Sequence, residues 1–109
     1  MKLNVDVQAF RAHRSGTLYG FATLFIPELQ LKISDCPVHE KAGQRWLSFP
    51  ATPQLTPDGA DRRDETTGKP LYVSVIEFTD RDFRSAFSQH AINSLLERFP
   101  HAFDAQDAA

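Results

Sequence analysis

The chain has 109 residues, which is the size of one domain with a modest core. Lys and Arg number 12 against 14 Asp and Glu, and the nine Phe residues are enough to supply that core. The net charge of −2 excludes a strongly basic, nonspecific nucleic-acid binder, so a role of that kind needs a local basic patch. No apolar run approaches the roughly 18 residues of a membrane span. The single cysteine, Cys36, excludes an internal disulfide.

The amino-terminal segment alternates between apolar and polar residues, which predicts a half-buried strand. Its apolar positions are Leu3, Val5, Val7 and Ala9. The segment contains no continuous apolar region of the kind that a secretion signal needs. Together with the single thiol, this predicts a cytoplasmic protein without membrane partners.

The segment 18–26 is apolar on both faces and follows a turn at Ser15-Gly16. One face carries Leu18, Ala22, Leu24 and Ile26, and the other carries Tyr19, Phe21 and Phe25. This pattern predicts a central strand that is covered on both sides, or one whose second face meets a partner. A third strand follows over 29–38, and an Ala-Gly-Gln turn leads into a fourth over 45–49.

Residues 52–70 are predicted to form a long polar loop, which is either functional or mobile. A fifth strand is predicted over 71–78, and then a helix with Thr79 as its N-cap and acidic residues in its first turn. Pro100 predicts the end of this helix near Arg98 or Phe99. The sequence thus predicts an α+β fold, an antiparallel sheet of about five strands packed by one C-terminal helix. The domain spans 1–100, and 101–109 form a short polar tail.

The predicted helix carries two apolar clusters that point in different directions. The first consists of Phe83, Ala86 and Phe87, and the second of Ile92, Leu95, Leu96 and Phe99. Either both lie under the sheet as a broad stripe, or one packs on a second subunit, as a two-fold dimer requires.

Phosphate contacts need Lys or Arg on one surface, and single-strand binding adds aromatic rings on which bases stack. The candidate patch is formed by Arg11, His13 and Arg14, extended by Lys32, Lys41 and Arg45, with Tyr19 and Trp46 as the aromatic rings. The alternative interpretation is that these charges are merely solvated and that Trp46 caps a core.

Signals for catalysis, cofactors and metals are weak. Cys36 and His39 have a Cys-x-x-His spacing, but no second pair follows to complete a zinc site. A nucleophile needs a base and an orienting acid at hydrogen-bond distance. Ser48 and His39 form such a pair only if they face each other across the hairpin, and one pair of this kind is expected by chance. No glycine-rich loop precedes a helix. We therefore expect a protein that is not an enzyme and that has no metal and no cofactor.

Several short motifs occur here in an order found in a known family. They read GFATL (20–24), ISDCPV (33–38), WLSFPA (46–51) and TPDG (56–59), and an Arg-Asp pair and the closing helix come after them. The run from Gly16 to Arg98 resembles the stage V sporulation protein G family, the SpoVG septation regulators. The resemblance implies a small antiparallel sheet with a C-terminal helix, a homodimer, and binding to DNA or RNA in gene regulation.

The chain also departs from this family. Ala51, Thr52 and Pro53 stand where the family carries basic residues, and Glu65–Pro70 resembles an insertion. Two alternatives follow. The first is a non-enzymatic protein-interaction module, such as an accessory protein of a phage or mobile element. The second is a protein like the single-stranded-DNA-binding coactivators, a likeness that rests on the order of strands and helix alone.

Overall fold

Alternating apolar residues build a four-stranded antiparallel sheet in the computed structural model, which describes residues 3–104. The strands are β1 (Asp6–Ser15), β2 (Leu18–Ile26), β3 (Leu31–Lys41) and β4 (Gln44–Leu47), in the spatial order β1-β2-β3-β4. Tight turns join β1 to β2 at Gly16 and β3 to β4 at Gly43, both of which have positive φ. A single turn of 3-10 helix (Pro27–Leu29) joins β2 to β3.

Irregular register at four places decides which side chains share a face. The pairing shifts twice in β1, between Val7 and Ala9 and between Ala12 and Ser15. It also shifts twice in β2, between Leu18 and Gly20 and between Ala22 and Leu24. Because one extra residue reverses the alternation of a strand, Tyr19 turns toward the core instead of joining Phe21. The common face predicted for Tyr19 and Phe21 is therefore wrong.

One helix, α1 (Arg81–Arg98), covers one face of the sheet and closes the core. The largest fully buried side chains are Leu24, Ile26, Ile92, Leu95, Val7, Val38 and Cys36. The helix ends at Arg98, as predicted from Pro100. Its N-cap is Asp80 rather than the predicted Thr79, because the Asp80 carboxylate lies three residues before Phe83 and accepts a 2.7 Å hydrogen bond from its N–H.

Polar side chains of the helix also bind the backbone of both outer strands. The Ser94 hydroxyl accepts a 3.0 Å hydrogen bond from Val7 N–H in β1, and Arg98 donates a 3.1 Å hydrogen bond to Val7 O. At the other edge, the Ser88 hydroxyl accepts a 2.9 Å hydrogen bond from Leu47 N–H in β4. The helix therefore satisfies backbone groups that an outer strand leaves without a partner.

Four aromatic rings fill the space between the first turns of the helix and the chain that follows β4. Phe78 lies 4.9 Å from Phe83 and 5.0 Å from Phe87, and Phe49 lies 5.4 Å from Phe78, all between ring centroids. Phe83 and Phe87 are thus covered within the same chain. The sequence left open whether the two apolar clusters of the helix form one broad stripe within the chain or whether one of them packs on a second subunit. Phe83 and Phe87 fit the first interpretation, because they need no second subunit to cover them.

The predicted fifth strand does not join the main sheet. The chain leaves that sheet at Phe49-Pro50 and forms β5 (Ala51–Pro53), which pairs antiparallel with β6 (Tyr72–Ser74) in a separate two-stranded sheet. We call this pair the ribbon. The prediction of about five strands is therefore wrong in detail. The strand predicted over 71–78 covers only Tyr72–Ser74, and the predicted loop 52–70 includes the last two residues of β5.

Beyond the helix, the chain turns over His101–Phe103 and brings Phe103 into the core, 5.4 Å from the Tyr19 ring. The packed part of the chain thus extends past the boundary at residue 100. Residues 105–109 of the predicted tail lie outside the described residues. Within residues 3–104, no helix has the length and apolar character needed to cross a bilayer.

Candidate nucleic-acid interface

The face of the main sheet that points away from the helix carries a row of aromatic and basic side chains. Side chains that lie opposite each other in an antiparallel sheet share a face. Arg11 lies opposite Phe21, which lies opposite Pro37, and Phe25 lies opposite Lys32. None of these residues belongs to the core that the described residues form. We call this surface the open face.

Arg11 and His13 surround the Phe21 ring. The Arg11 guanidinium lies 5.0 Å from the ring centroid, and the His13 ring lies 6.0 Å from it. Arg11 also forms a 3.6 Å ion pair with Asp35, but both side chains are about two-thirds exposed. Such a pair contributes only about 0–1 kcal/mol, so the guanidinium is available to an incoming phosphate.

Trp46 and His39 form a second flat surface on the open face. Their rings are stacked, with centroids 5.3 Å apart and planes inclined by 13°. The Thr17 hydroxyl and His39 Nδ1 lie 2.9 Å apart in a hydrogen bond that fixes the imidazole. Burial lowers the pKa of His39 from its ordinary value of 6.5, so the ring is neutral at neutral pH. His39 therefore contributes a flat ring to the surface rather than a positive charge.

The predicted patch divides into two groups. The open face contains five of the predicted residues: Arg11, His13, Lys32, Lys41 and Trp46. Lys41 pairs with Gln44 beside the β3–β4 turn, so the row of side chains extends as far as that turn.

The other group lies on the helix side. Arg14 lies 3.7 Å above the Tyr19 ring, and Tyr19 packs against the core. Arg45 lies 4.4 Å above the Phe103 ring and forms a 2.6 Å ion pair with Glu40. These three predicted residues do not join the others on one surface.

Phe21 and Phe25 are part of the open face but were not among the predicted site residues. The sequence contained the signal, because both stand on the second apolar face of the predicted strand 18–26. Apolar periodicity predicts only that Phe21 and Phe25 lie in a core or against a partner. It does not show that the helix covers the opposite face of the strand and leaves these two rings uncovered.

The residues considered for metal binding and catalysis do not assemble into a site. Burial, aided by the Asp35 carboxylate, raises the pKa of the Cys36 thiol to about 12, so the thiol stays protonated. No group of three or more His, Cys, Asp or Glu residues positioned to hold a metal ion occurs in residues 3–104. Across the β3–β4 hairpin, His39 lies opposite Trp46 rather than Ser48.

Comparison of the chain with protein families, with curated proteins and with solved structures finds no match.

Proposed function

We propose that this protein binds single-stranded DNA or RNA on the open face of its sheet. The observation that carries the proposal is the alternation of flat rings and cations there, with Arg11 above Phe21 and His39 stacked on Trp46. Single strands expose the faces of their bases, and stacking on aromatic side chains is worth about 1–3 kcal/mol per base. Duplexes hide those faces, so this surface favours single strands.

The motif order that resembles the SpoVG family supports a regulatory role for this binding. Under that proposal the protein acts as a homodimer in gene regulation. The basic residues that the family carries after its fourth strand are replaced here by Ala51, Thr52 and Pro53. The open face then takes over the contact with nucleic acid, through Arg11, Lys32 and Lys41.

The test is fluorescence anisotropy with labelled single- and double-stranded DNA and RNA at two salt concentrations. We expect single strands to bind more tightly than duplexes, with affinity that falls as salt rises. Phe21→Ala and Trp46→Ala should each weaken binding about 5- to 150-fold, the equivalent of about 1–3 kcal/mol. Arg11→Glu should weaken binding and also flatten the salt dependence, since it removes one phosphate contact.

Two matched controls separate the open face from general charge effects. Arg14→Glu and Arg62→Glu make the same charge change away from the open face, and we expect each to alter binding much less than Arg11→Glu. Flat titrations at low salt would refute the proposal. So would equal losses for the three charge reversals, because binding would then follow net charge and not the open face.

The alternative function, a protein-interaction module, is favoured by one observation. The ribbon and the residues after it expose several large apolar side chains, among them Tyr72, Val75 and Ile76. Exposed apolar patches of this kind mark sites of protein contact. This alternative predicts no salt-dependent binding of nucleic acid, so the same anisotropy titrations distinguish the two functions.

A further inference from the structure

The helix binds the outer edge of β1 at one point only. Ser94 and Arg98 bind both backbone polar groups of Val7. Beyond that point, every residue from Gln8 to Ser15 except Phe10 is exposed. Within residues 3–104, no strand pairs with this edge, and no side chain bonds the backbone of β1 after Val7. We call the outer side of residues 8–15 the free edge.

The register of β1 and β2 shows which backbone groups point outward along the free edge. In an antiparallel pair, the N–H and C=O groups of successive residues point alternately toward the partner strand and away from it. Val7 directs both groups away from β2, to the helix. Counted along β2, the pairs Phe10–Ala22 and Ala12–Gly20 follow at every second residue and have the same geometry. Phe10 and Ala12 therefore each direct one N–H and one C=O group to the free edge.

The free edge is also basic. Residues 8–15 read QAFRAHRS, which contains Arg11, His13 and Arg14 and no acidic residue. Arg11 and His13 lie on the open face and Arg14 lies on the helix side, so basic residues would flank an added strand on both faces. Within residues 3–104, Arg14 takes part in no ion pair, and Arg11 has only the exposed one with Asp35.

We propose that the free edge binds an extended acidic peptide of a partner protein, which adds to the main sheet as a further strand. The backbone of such a peptide bonds the outward groups of Phe10 and Ala12, and its acidic side chains lie beside Arg11 and Arg14. The charge of the edge thus selects its occupant. A second copy of β1 would place the same basic residues opposite each other, and like charges in that position are destabilising.

The opposite edge of the main sheet does not offer an equivalent site. It is formed by β4, which is only four residues long. Ser88 already binds the N–H of Leu47 in this strand. Of the two outer strands, β1 is therefore the one with room for a peptide.

The first experiment is an anisotropy titration with a labelled peptide in which glutamate alternates with valine over about six residues, the usual length of a strand. The control peptide has lysine in place of glutamate. We expect the glutamate peptide to bind with an affinity that falls as salt rises, and the lysine peptide not to bind. Arg11→Glu should weaken binding of the glutamate peptide about tenfold or more and allow the lysine peptide to bind. Arg62→Glu makes the same charge change away from the free edge and should leave both titrations unchanged.

Peptides with methylated backbone nitrogens distinguish strand addition from a general attraction of charges. In antiparallel addition with the glutamates beside Arg11, the valine N–H groups point to β1 and the glutamate N–H groups point to solvent. Methylation of the valine nitrogens should therefore weaken binding about tenfold or more, and methylation of the glutamate nitrogens should not. The reverse pattern also supports the proposal, because it identifies a parallel strand on the same edge. Equal effects of the two methylations overturn it.

Ala12→Pro tests the edge from the side of the protein. It removes an outward N–H without changing the charge, and proline is tolerated on an outer strand where the N–H faces solvent. The variant should lose peptide binding and keep binding of single strands, which uses side chains of the open face. Circular dichroism checks that the variant is folded, and if it is not, the methylated peptides decide the question.

The proposal does not rest on the proposed function, and the two fail separately. A wild-type chain that does not bind the glutamate peptide at millimolar concentration and low salt overturns the peptide site only. Flat titrations with nucleic acids, beside the peptide results expected above, refute the proposed function only. If both hold, an excess of the glutamate peptide should displace single strands, because Arg11 belongs to both sites.

Discussion

Replacing Gly20 with alanine should destabilise the fold, although alanine normally stabilises a strand relative to glycine. A Cβ atom at this position would lie 2.5 Å from Arg11 O, 2.6 Å from Phe10 Cζ and 2.7 Å from Phe10 Cε1. Carbon atoms pack at about 3.5–4.0 Å, so the Phe10 ring has to move by about 1 Å. The centroid of the Phe10 ring lies 6.1 Å from that of the Phe99 ring, so the ring is not free to move. The Arg11 carbonyl belongs to β1, the strand that pairs with β2 at Gly20.

Overpacking of this kind costs about 1–3 kcal/mol, and the intrinsic preference for alanine returns about 0.5–1 kcal/mol. At the middle of these two ranges the net loss is about 1 kcal/mol, which lowers the melting temperature by roughly 4–8 °C in a domain of this size. Thermal unfolding followed by circular dichroism measures this shift. An alanine variant that melts at or above the wild-type temperature would refute the reasoning.

A double-mutant cycle separates the two contacts. Phe10→Ala removes the ring but leaves the Arg11 carbonyl, so Gly20→Ala should cost less in that background than in the wild type. Coupling between residues in contact is commonly about 0.5–3 kcal/mol. Additive effects would mean that the ring does not fill the space above Gly20, and the carbonyl alone would then explain the loss.

Three further predictions concern groups held by the fold. Ser94→Ala leaves Val7 N–H without its acceptor and should cost about 1–2 kcal/mol in urea unfolding, whereas Ser85→Ala, on the exposed side of the helix, should cost nothing. Because burial lowers the pKa of His39, the unfolded chain binds more protons. The free energy of unfolding should therefore fall as the pH drops through about 6.5, and it should level off below the pKa of His39 in the folded chain. Urea unfolding at several pH values measures this fall, and the His39→Gln variant should not show it. Since burial raises the pKa of Cys36 to about 12, a thiol reagent should label the native protein only as fast as it opens, and rapid labelling would contradict this.

Local patterns predicted much of the fold. Alternation in β1 and β2, the glycine at the β3–β4 turn and Pro100 after the helix each act over a few residues, and the structure contains the corresponding elements. The errors arose where one residue changes the register or where a contact joins distant segments. Tyr19 lies on the core side because the register slips by one residue. The packing of Phe103 beside Tyr19 has no sequence signal near residue 103.

The candidate site was predicted less well than the fold. Strict alternation in β1 would place Arg11 on the same face as Val7, and the register shift between Val7 and Ala9 is what brings it onto the open face with Lys32. Excluding Arg14 and Arg45 from that face requires knowing that they stack on Tyr19 and Phe103, two rings that come together only in the folded chain. Phe21 and Phe25 had a signal, but a single sequence does not tell an uncovered apolar face from a covered one.

The contacts between helix and outer strands also bear on how this protein behaves when it is concentrated. An outer strand with free N–H and C=O groups is a template on which further strands grow into aggregates. At Val7 both groups are already bound by Ser94 and Arg98, and at Leu47 the N–H is bound by Ser88. A strand that added to the main sheet at Val7 or Leu47 would first have to break these bonds. The helix thus protects these two positions of the sheet edges and also forms part of the core.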